Sequence, residues 1–163
     1  LEWFPDRKRL LVVARRGNEA FRSWLQPVEG GEPHPITQPG VRARGISPDG
    51  VMIVEANAQN LVIHFVDQRP SRVVAKSLPR ESVVRWNAAG SGFYTRREID
   101  QDSALQVDLV DASTGARRPV HTFRLPEGAV RFTEKLALTP NGETWAYSYQ
   151  HDLTSLYLID GLR

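Results

Sequence analysis

Ser47-Pro48-Asp49-Gly50 is a four-residue turn that the chain repeats with variations. Proline presets φ at the first central position, aspartate tolerates the second, and glycine adopts the left-handed geometry that closes a β-hairpin. Related turns occur at 4–7, 87–90 and 139–142, so their second residues lie at positions 5, 48, 88 and 140. Intervals of roughly 40 to 50 residues are typical of a unit of four antiparallel strands. The repeat therefore predicts about four such units.

Apolar or alternating segments flank each turn, as expected of paired strands. The large apolar residue before each turn predicts an inner strand that ends in the core, and no segment sustains a helical period of 3.6. The predicted fold is all-β, a partial β-propeller of about four blades made of four-stranded antiparallel sheets, with approximate blades 1–38, 39–78, 79–126 and 127–163. The residues before the turns are Trp3, Ile46, Trp86 and Leu138. The predicted second strands are Leu10–Ala14, Met52–Val54, Gly92–Thr95 and Thr144–Tyr149.

The two ends of the chain affect how the blades are completed. The sequence begins on a predicted inner strand at Leu1–Phe4 and stops at Arg163, after a predicted third strand at Leu156–Asp160. The last blade is therefore expected to lack its outer strand, and the chain to be the C-terminal part of a larger ring. Unpaired blades would expose apolar sheet faces and edges. We expect the chain alone to form a homo-oligomer through these open ends or to be unstable.

Composition excludes several classes of function. Lys and Arg number 21 against 19 acidic residues, and the formal net charge of +2 argues against nucleic acid as a partner. No apolar run approaches the roughly 20 residues of a membrane-spanning helix, so no membrane insertion is predicted. The chain has no cysteine, which excludes disulfides and thiolate chemistry but leaves the cellular compartment open.

No pattern in the sequence predicts catalysis, a bound metal or a cofactor. Ser155, His151 and Asp152 could form a triad on paper, but there is no Gly-x-Ser-x-Gly elbow. The acidic segment 98–102 lacks the glycine and the terminal glutamate of a calcium loop, which favours a solvated hairpin tip. The four histidines are too far apart in sequence to show the close spacing of metal ligands. They are His34, His64, His121 and His151.

Two arginine pairs point to one face of the predicted propeller. Arg15-Arg16 and Arg96-Arg97 both follow a predicted second strand, and the Asn57–Asn60 and Gln150–Asp152 loops share that face. Arginine binds carboxylates and carbonyl groups through paired hydrogen bonds, so this face suits an acidic or carbonyl-rich partner. Paired arginines at strand ends also act as solubilising gatekeepers, and this alternative stays open. The predicted partner-binding residues are Arg15, Arg16, Asn57, Asn60, Arg96, Arg97 and His151.

Several segments resemble the TolB-type, WD-repeat-like β-propeller, namely Ile46–Gly50, Leu138–Gly142, Gln26–Pro33 and Asp111–Gly115. The segments Ala146–Tyr149 and Leu153–Leu162 are similar to the end of the sensor propeller of bacterial, notably acidobacterial, serine/threonine protein kinases. The resemblance implies a non-catalytic sensing or protein-interaction module, an accessory domain of a bacterial signalling protein. Its ligand would be a protein or a small molecule, and an extracytoplasmic, periplasmic location is favoured.

Propellers of this type are joined to other modules, so two alternative functions stay open. One is the propeller domain of a prolyl-oligopeptidase-like peptidase, and the other is a TolB-type transport partner. The chain lacks a glycine-rich phosphate loop and the Asp-Phe-Gly motif of kinases, so we expect it not to be an enzyme. The third unit departs from the repeat, because its turn at Asn87–Gly90 has lost the Pro-Asp pair.

Overall fold

The structure is a computed structural model that describes residues 1–100 and 103–153. These residues form fourteen strands and no helix, and thus no helix long and apolar enough to cross a membrane. The first sheet contains β1 (Glu2–Trp3), β2 (Arg9–Ala14), β3 (Arg22–Pro27) and β4 (His34–Pro35). The second contains β5 (Arg44–Ile46), β6 (Met52–Ala56), β7 (Asn60–Phe65) and β8 (Arg72–Lys76). The third contains β9 (Ser82–Trp86), β10 (Gly92–Ile99), β11 (Ala104–Asp111) and β12 (Arg117–Arg124), and the fourth β13 (Ala129–Leu138) and β14 (Trp145–His151).

Each sheet is antiparallel, and its strands pair in the order in which they occur in the chain. The four sheets are the blades of a partial β-propeller, which confirms the predicted fold. The fourth blade shows two strands within the described residues. Its predicted third strand at Leu156–Asp160 lies outside them.

The repeated turn has one geometry in all four blades. Gly50, Gly90 and Gly142 have φ of 72°, 69° and 74°, and each donates its N–H to the carbonyl three residues earlier at 2.8–3.2 Å. Arg7 takes the equivalent place in the first blade, with φ of 56°. The degenerate third copy therefore closes its hairpin as the others do, because glycine retains the left-handed position that the turn requires.

The first blade corrects one prediction about the core. Trp3 was expected to end the inner strand in the core, but it is 54% exposed and lines an open cavity of about 670 Å³ along the inner strands. Phe4, only 1% exposed, packs with Leu11 and Ile53 instead. Phe4 occupies the turn position that polar Ser47 holds in the second blade, so its ring is available for the core. Adjacent residues of an extended segment project to opposite sides, which leaves Trp3 outside.

Buried apolar clusters lie between successive blades. Burial of each large aliphatic or aromatic side chain contributes about 1.5–3 kcal/mol, so these contacts hold the blades together. Between blades one and two the cluster includes Phe4, Leu11 and Ile53. Between blades two and three it includes Val54, Leu61, Trp86 and Phe93, and between blades three and four Tyr94, Leu105, Phe123 and Phe132.

Hydrogen bonds between side chains and the backbone link the inner strands of neighbouring blades. The Glu2 carboxylate accepts the Gly45 N–H at 3.1 Å, which joins blade one to blade two. Trp86 donates its Nε1–H to the Gly45 carbonyl at 2.7 Å, and Arg85 donates to the Leu138 carbonyl at 2.7 Å. The inner strands are therefore held in a defined relation, which fixes the surfaces that they line.

The third blade corrects the predicted end of its second strand. β10 continues past the predicted end at Thr95, and pairs with β11 without interruption from Gly92 opposite Asp111 to Ile99 opposite Ala104. The predicted strand stops at Thr95 because charged residues follow it. In the structure these residues pair with β11 and belong to the strand. Arg96 and Arg97 consequently lie within a strand and project to opposite faces of the sheet.

Candidate functional site

Topology places two sets of connections at one end of the blades. In an antiparallel blade the hairpin between the second and third strands lies at the same end as the connection to the next blade. We call this end the upper face. Its segments are 15–21, 57–59 and the β10–β11 turn, together with the inter-blade connections 36–43, 77–81 and 125–128.

A cavity of about 470 Å³ opens at the upper face, and its lining residues come from blades two, three and four. Of the thirteen described residues that line it, five are arginines and one, Glu98, is a carboxylate. We call it the arginine cavity. Its arginines are Arg42, Arg44, Arg80, Arg96 and Arg97.

Blade two supplies two of these arginines. Arg42 precedes β5 and stacks its guanidinium over the Phe21 ring, 4.7 Å from the ring centroid. Arg44 is the first residue of β5 and is exposed, and its guanidinium makes no hydrogen bond or ion pair with any described residue. Both guanidinium groups therefore keep hydrogen-bond donors that a ligand could use.

Arg96 is anchored across the boundary between blades three and four. Its Nε donates to the Ser82 hydroxyl at 3.2 Å, and its Nη1 donates to the Thr133 carbonyl of β13 at 3.1 Å. The Ser82 hydroxyl accepts this bond and still carries its own proton. Ser82 and Arg96 thus form a positioned pair of donors in the wall of the cavity.

Arg97 is held by a buried carboxylate. Its Nε lies 3.8 Å from Oδ2 of Asp108, a distance that is too long for a hydrogen bond, and the Asp108 side chain is 7% exposed. Asp108 also accepts a hydrogen bond from Gln106 at 3.0 Å, and Gln106 accepts one from Thr122 at 2.6 Å. This network orients the Arg97 guanidinium and leaves its N–H groups able to donate hydrogen bonds to a ligand.

Arg80 and Glu98 form the one ion pair between described residues of the cavity wall. Nη1 of Arg80 lies 3.4 Å from Oε2 of Glu98, and the two side chains are 58% and 30% exposed. Exposed pairs of this kind contribute about 0–1 kcal/mol, so a competing anion can replace the glutamate at little cost.

The structure separates the two predicted arginine pairs. Arg96 and Arg97 line the arginine cavity, whereas Arg15 and Arg16 line a different cavity of about 200 Å³ on the first blade, beside Trp24. There the Arg16 guanidinium lies 5.9 Å from the Trp24 ring centroid. The predicted arginines therefore share a face but not a site.

The remaining predicted binding residues support local structure. Asn57 accepts the backbone N–H groups of Gln59 and Asn60 at 3.0 and 2.9 Å, which shapes the β6–β7 turn. His151 ends β14, with its ring against Gly128. None of these residues lines the described part of the arginine cavity.

Sequence reasoning missed the three arginines that precede or begin inner strands. Arg42, Arg44 and Arg80 are single arginines and not adjacent pairs, so the paired-arginine pattern does not include them. Their signal is position in the repeat, because each lies just before or at the start of an inner strand. Such connections lie at the same end of the blades as the hairpins that carry the paired arginines.

The other titratable candidates have structural partners. His64 lies on β7, with its Nε2 3.0 Å from Oε2 of Glu55, and this hydrogen bond holds the pKa of the Glu55 carboxyl below its ordinary value. Among residues 1–100 and 103–153 no group of three or more metal-ligating side chains converges. Ser155 of the paper triad, and Gln101 and Asp102 of the acidic segment, lie outside the described residues.

Comparison with known proteins identifies the fold. No protein-family model matches the chain, and no curated protein does either. TolB from Acinetobacter baumannii matches with a TM-score of 0.65 and 18% identity over 93% of this chain and 37% of that one. A TolB-type protein from Agrobacterium tumefaciens matches with a TM-score of 0.62 and 20% identity, over 89% of this chain and 51% of that one.

A third solved structure is an oligogalacturonate lyase in complex with manganese. It matches with a TM-score of 0.57 and 12% identity, over 89% of this chain and 50% of that one. At these identities the similarity shows the fold alone, which is a β-propeller like that of the two TolB structures. The chain spans between about a third and a half of the length of these proteins.

Proposed function

We propose that this chain is a non-catalytic sensing or protein-interaction module that binds an acidic partner at its upper face. The observation that carries this proposal is the convergence of five arginines on one cavity whose described lining includes a single carboxylate. Guanidinium groups bind carboxylates through two parallel hydrogen bonds, which are stronger than bonds between neutral groups. Rigid blades that hold variable loops at one end are suited to such recognition.

We further propose that the module belongs to a bacterial signalling protein, as the resemblance to kinase sensor propellers implies. A ligand that binds one state of the propeller more tightly would shift the attached module toward that state. The similarity to two TolB-type structures favours a second candidate, a transport partner of the TolB type. The peptidase propeller remains the enzyme-linked alternative.

The full reading frame discriminates these contexts. A kinase domain and a membrane span upstream would support the signalling role, and a signal peptide on a stand-alone propeller would support the TolB-type role. An α/β-hydrolase domain downstream would contradict both and support the peptidase.

Isothermal titration calorimetry with poly-L-glutamate as the ligand tests the proposed binding face. We expect binding that weakens with added salt, because the contacts are ionic. The double substitution Arg42→Ala and Arg44→Ala should weaken binding at least about tenfold, since charge-assisted hydrogen bonds contribute about 1.5–3 kcal/mol each. These arginines are chosen because neither guanidinium group is hydrogen-bonded to another described strand.

The matched control is the double substitution Arg15→Ala and Arg16→Ala, which removes the same charge from the same face but outside the cavity. It should change binding little. Equal losses in the two double variants, or no binding by the unaltered chain, would contradict the proposed face.

A further inference from the structure

We propose that the arginine cavity is a binding site for an organic polycarboxylate, and that Glu98 occupies the place of one ligand carboxylate when the site is empty. This inference rests on the proposed binding function and names the ligand class that the site recognises. The ligand could be a free organic acid or a cluster of acidic side chains in a peptide, because both present carboxylates on a carbon framework.

The arrangement of the arginines favours more than one carboxylate. Arg42 and Arg44 come from blade two, whereas Arg96 and Arg97 come from β10 of blade three, where they project to opposite faces of the sheet. One carboxylate has two oxygens and is satisfied by one or two guanidinium groups. A ligand that uses arginines of both blades therefore carries at least two anionic groups.

The rest of the lining favours an organic framework between those groups. Six of the thirteen described lining residues are aliphatic, and four of these are only partly buried, namely Ala56, Val83, Val84 and Leu136. A small inorganic anion such as phosphate would leave these four side chains facing water. A carbon framework would bury apolar surface against them, which contributes about 25 cal/mol for each Å² removed from water.

Ser82 and Arg96 provide a preorganised part of the site. The Ser82 hydroxyl accepts from Nε of Arg96 at 3.2 Å, so its proton is directed away from that bond and can be donated to a ligand oxygen. Arg96 is fixed in turn by the Thr133 carbonyl. Binding therefore requires little ordering of these two side chains, and preorganised groups lose less entropy on binding.

Glu98 competes with a ligand carboxylate for Arg80. It is the one carboxylate in the described lining, and its pairing with Arg80 at 3.4 Å is exposed and easily exchanged. A ligand carboxylate that approaches Arg80 must displace or repel it. Glu98→Gln keeps the shape of the side chain and removes the charge, so it should tighten binding by about 1.4- to 5-fold, which corresponds to the usual range for an exposed ion pair.

The test is calorimetric titration of the chain at low ionic strength with citrate and, separately, with the tripeptide triglutamate. Acetate and inorganic phosphate serve as the monocarboxylate and inorganic controls. We expect citrate or triglutamate to bind at least about tenfold more tightly than either control, given the strength of each added charge-assisted bond. Citrate binding alone identifies a free acid as the source, and triglutamate binding alone identifies acidic side chains.

Three variants locate the binding in the cavity. Arg44→Ala and Ser82→Ala should weaken it, and Glu98→Gln should tighten it. Glu127→Gln is the matched control, because it removes one negative charge from the β12–β13 connection at the same face but outside the cavity. A gain in affinity cannot result from misfolding, so Glu98→Gln stays decisive even if another variant is unstable.

The inference is overturned if citrate and triglutamate bind no more tightly than acetate and phosphate, or if Glu98→Gln and Glu127→Gln behave alike. Its failure is distinguishable from failure of the proposed function. Poly-L-glutamate binding that depends on Arg42 and Arg44, without binding of either small ligand, would leave the proposed function standing. Citrate binding without poly-L-glutamate binding would remove the protein-interaction role and retain the polycarboxylate site.

Discussion

Trp86→Phe is expected to destabilise the propeller strongly, because Trp86 joins two blades by both packing and a hydrogen bond. Its ring is 2% exposed and packs edge to face on Phe93 with 5.4 Å between centroids. Its Nε1–H donates at 2.7 Å to the Gly45 carbonyl on the neighbouring inner strand. Phenylalanine would leave that carbonyl without this donor, which costs about 1–3 kcal/mol, and the smaller ring adds about 1 kcal/mol of lost packing.

We therefore expect the free energy of unfolding to fall by about 2–4 kcal/mol, measured by urea denaturation followed by circular dichroism. Trp3→Phe is the matched control, since Trp3 stands at the equivalent position of the repeat but is 54% exposed. Its effect should stay within about 0.5 kcal/mol, as is usual for surface substitutions. Similar losses in the two variants would refute the assignment of Trp86 as the inter-blade link.

The remaining predictions concern pH and a close backbone approach. The hydrogen bond from His64 depresses the pKa of Glu55, so its stabilising contribution is present above pH of about 4.5 and is lost as the pH falls through the lower pKa of the folded state. Glu55→Gln should therefore flatten the acid side of a plot of unfolding free energy against pH, and an unchanged slope would contradict the pairing. Gly115 has φ of 72° and lies against the Val74 carbonyl, so Gly115→Ala should lower the melting temperature by more than Gly30→Ala, where φ is 100° and nothing lies within 4 Å of the added carbon. Equal shifts in differential scanning calorimetry would show that backbone strain alone is responsible.

The two arginine pairs show how similar sequence patterns can lie in different structural surroundings. Arg15-Arg16 and Arg96-Arg97 have the same appearance in the sequence, yet only the second pair lines the cavity. The difference arises from strand length. β2 ends at Ala14, before its arginines, whereas β10 continues through Arg96 and Arg97 and holds both within a strand that lines the cavity.

Local chemistry explains what could be predicted. The turn that contains Pro48 and Gly50 needs a preset φ followed by a left-handed residue, and both requirements are visible in four consecutive residues. Alternation of apolar residues then predicts the strands between turns. The prediction that Trp3 is buried is wrong because it rests on the position of Trp3 in the repeat. That position does not show that the adjacent residue, Phe4, is buried in the core instead.

The repeated hairpins, their order and the all-β propeller are predictable from the chain alone, because turn geometry and side-chain alternation act between residues that are close in sequence. Which arginines share a cavity, and which carboxylate lies among them, depends on the packing of the blades. Arg42 and Arg97 are far apart in sequence and meet because inter-blade packing and the links through Gly45 and Trp86 set how neighbouring blades are placed. That placement depends on side chains from several blades at once, so no local pattern encodes it.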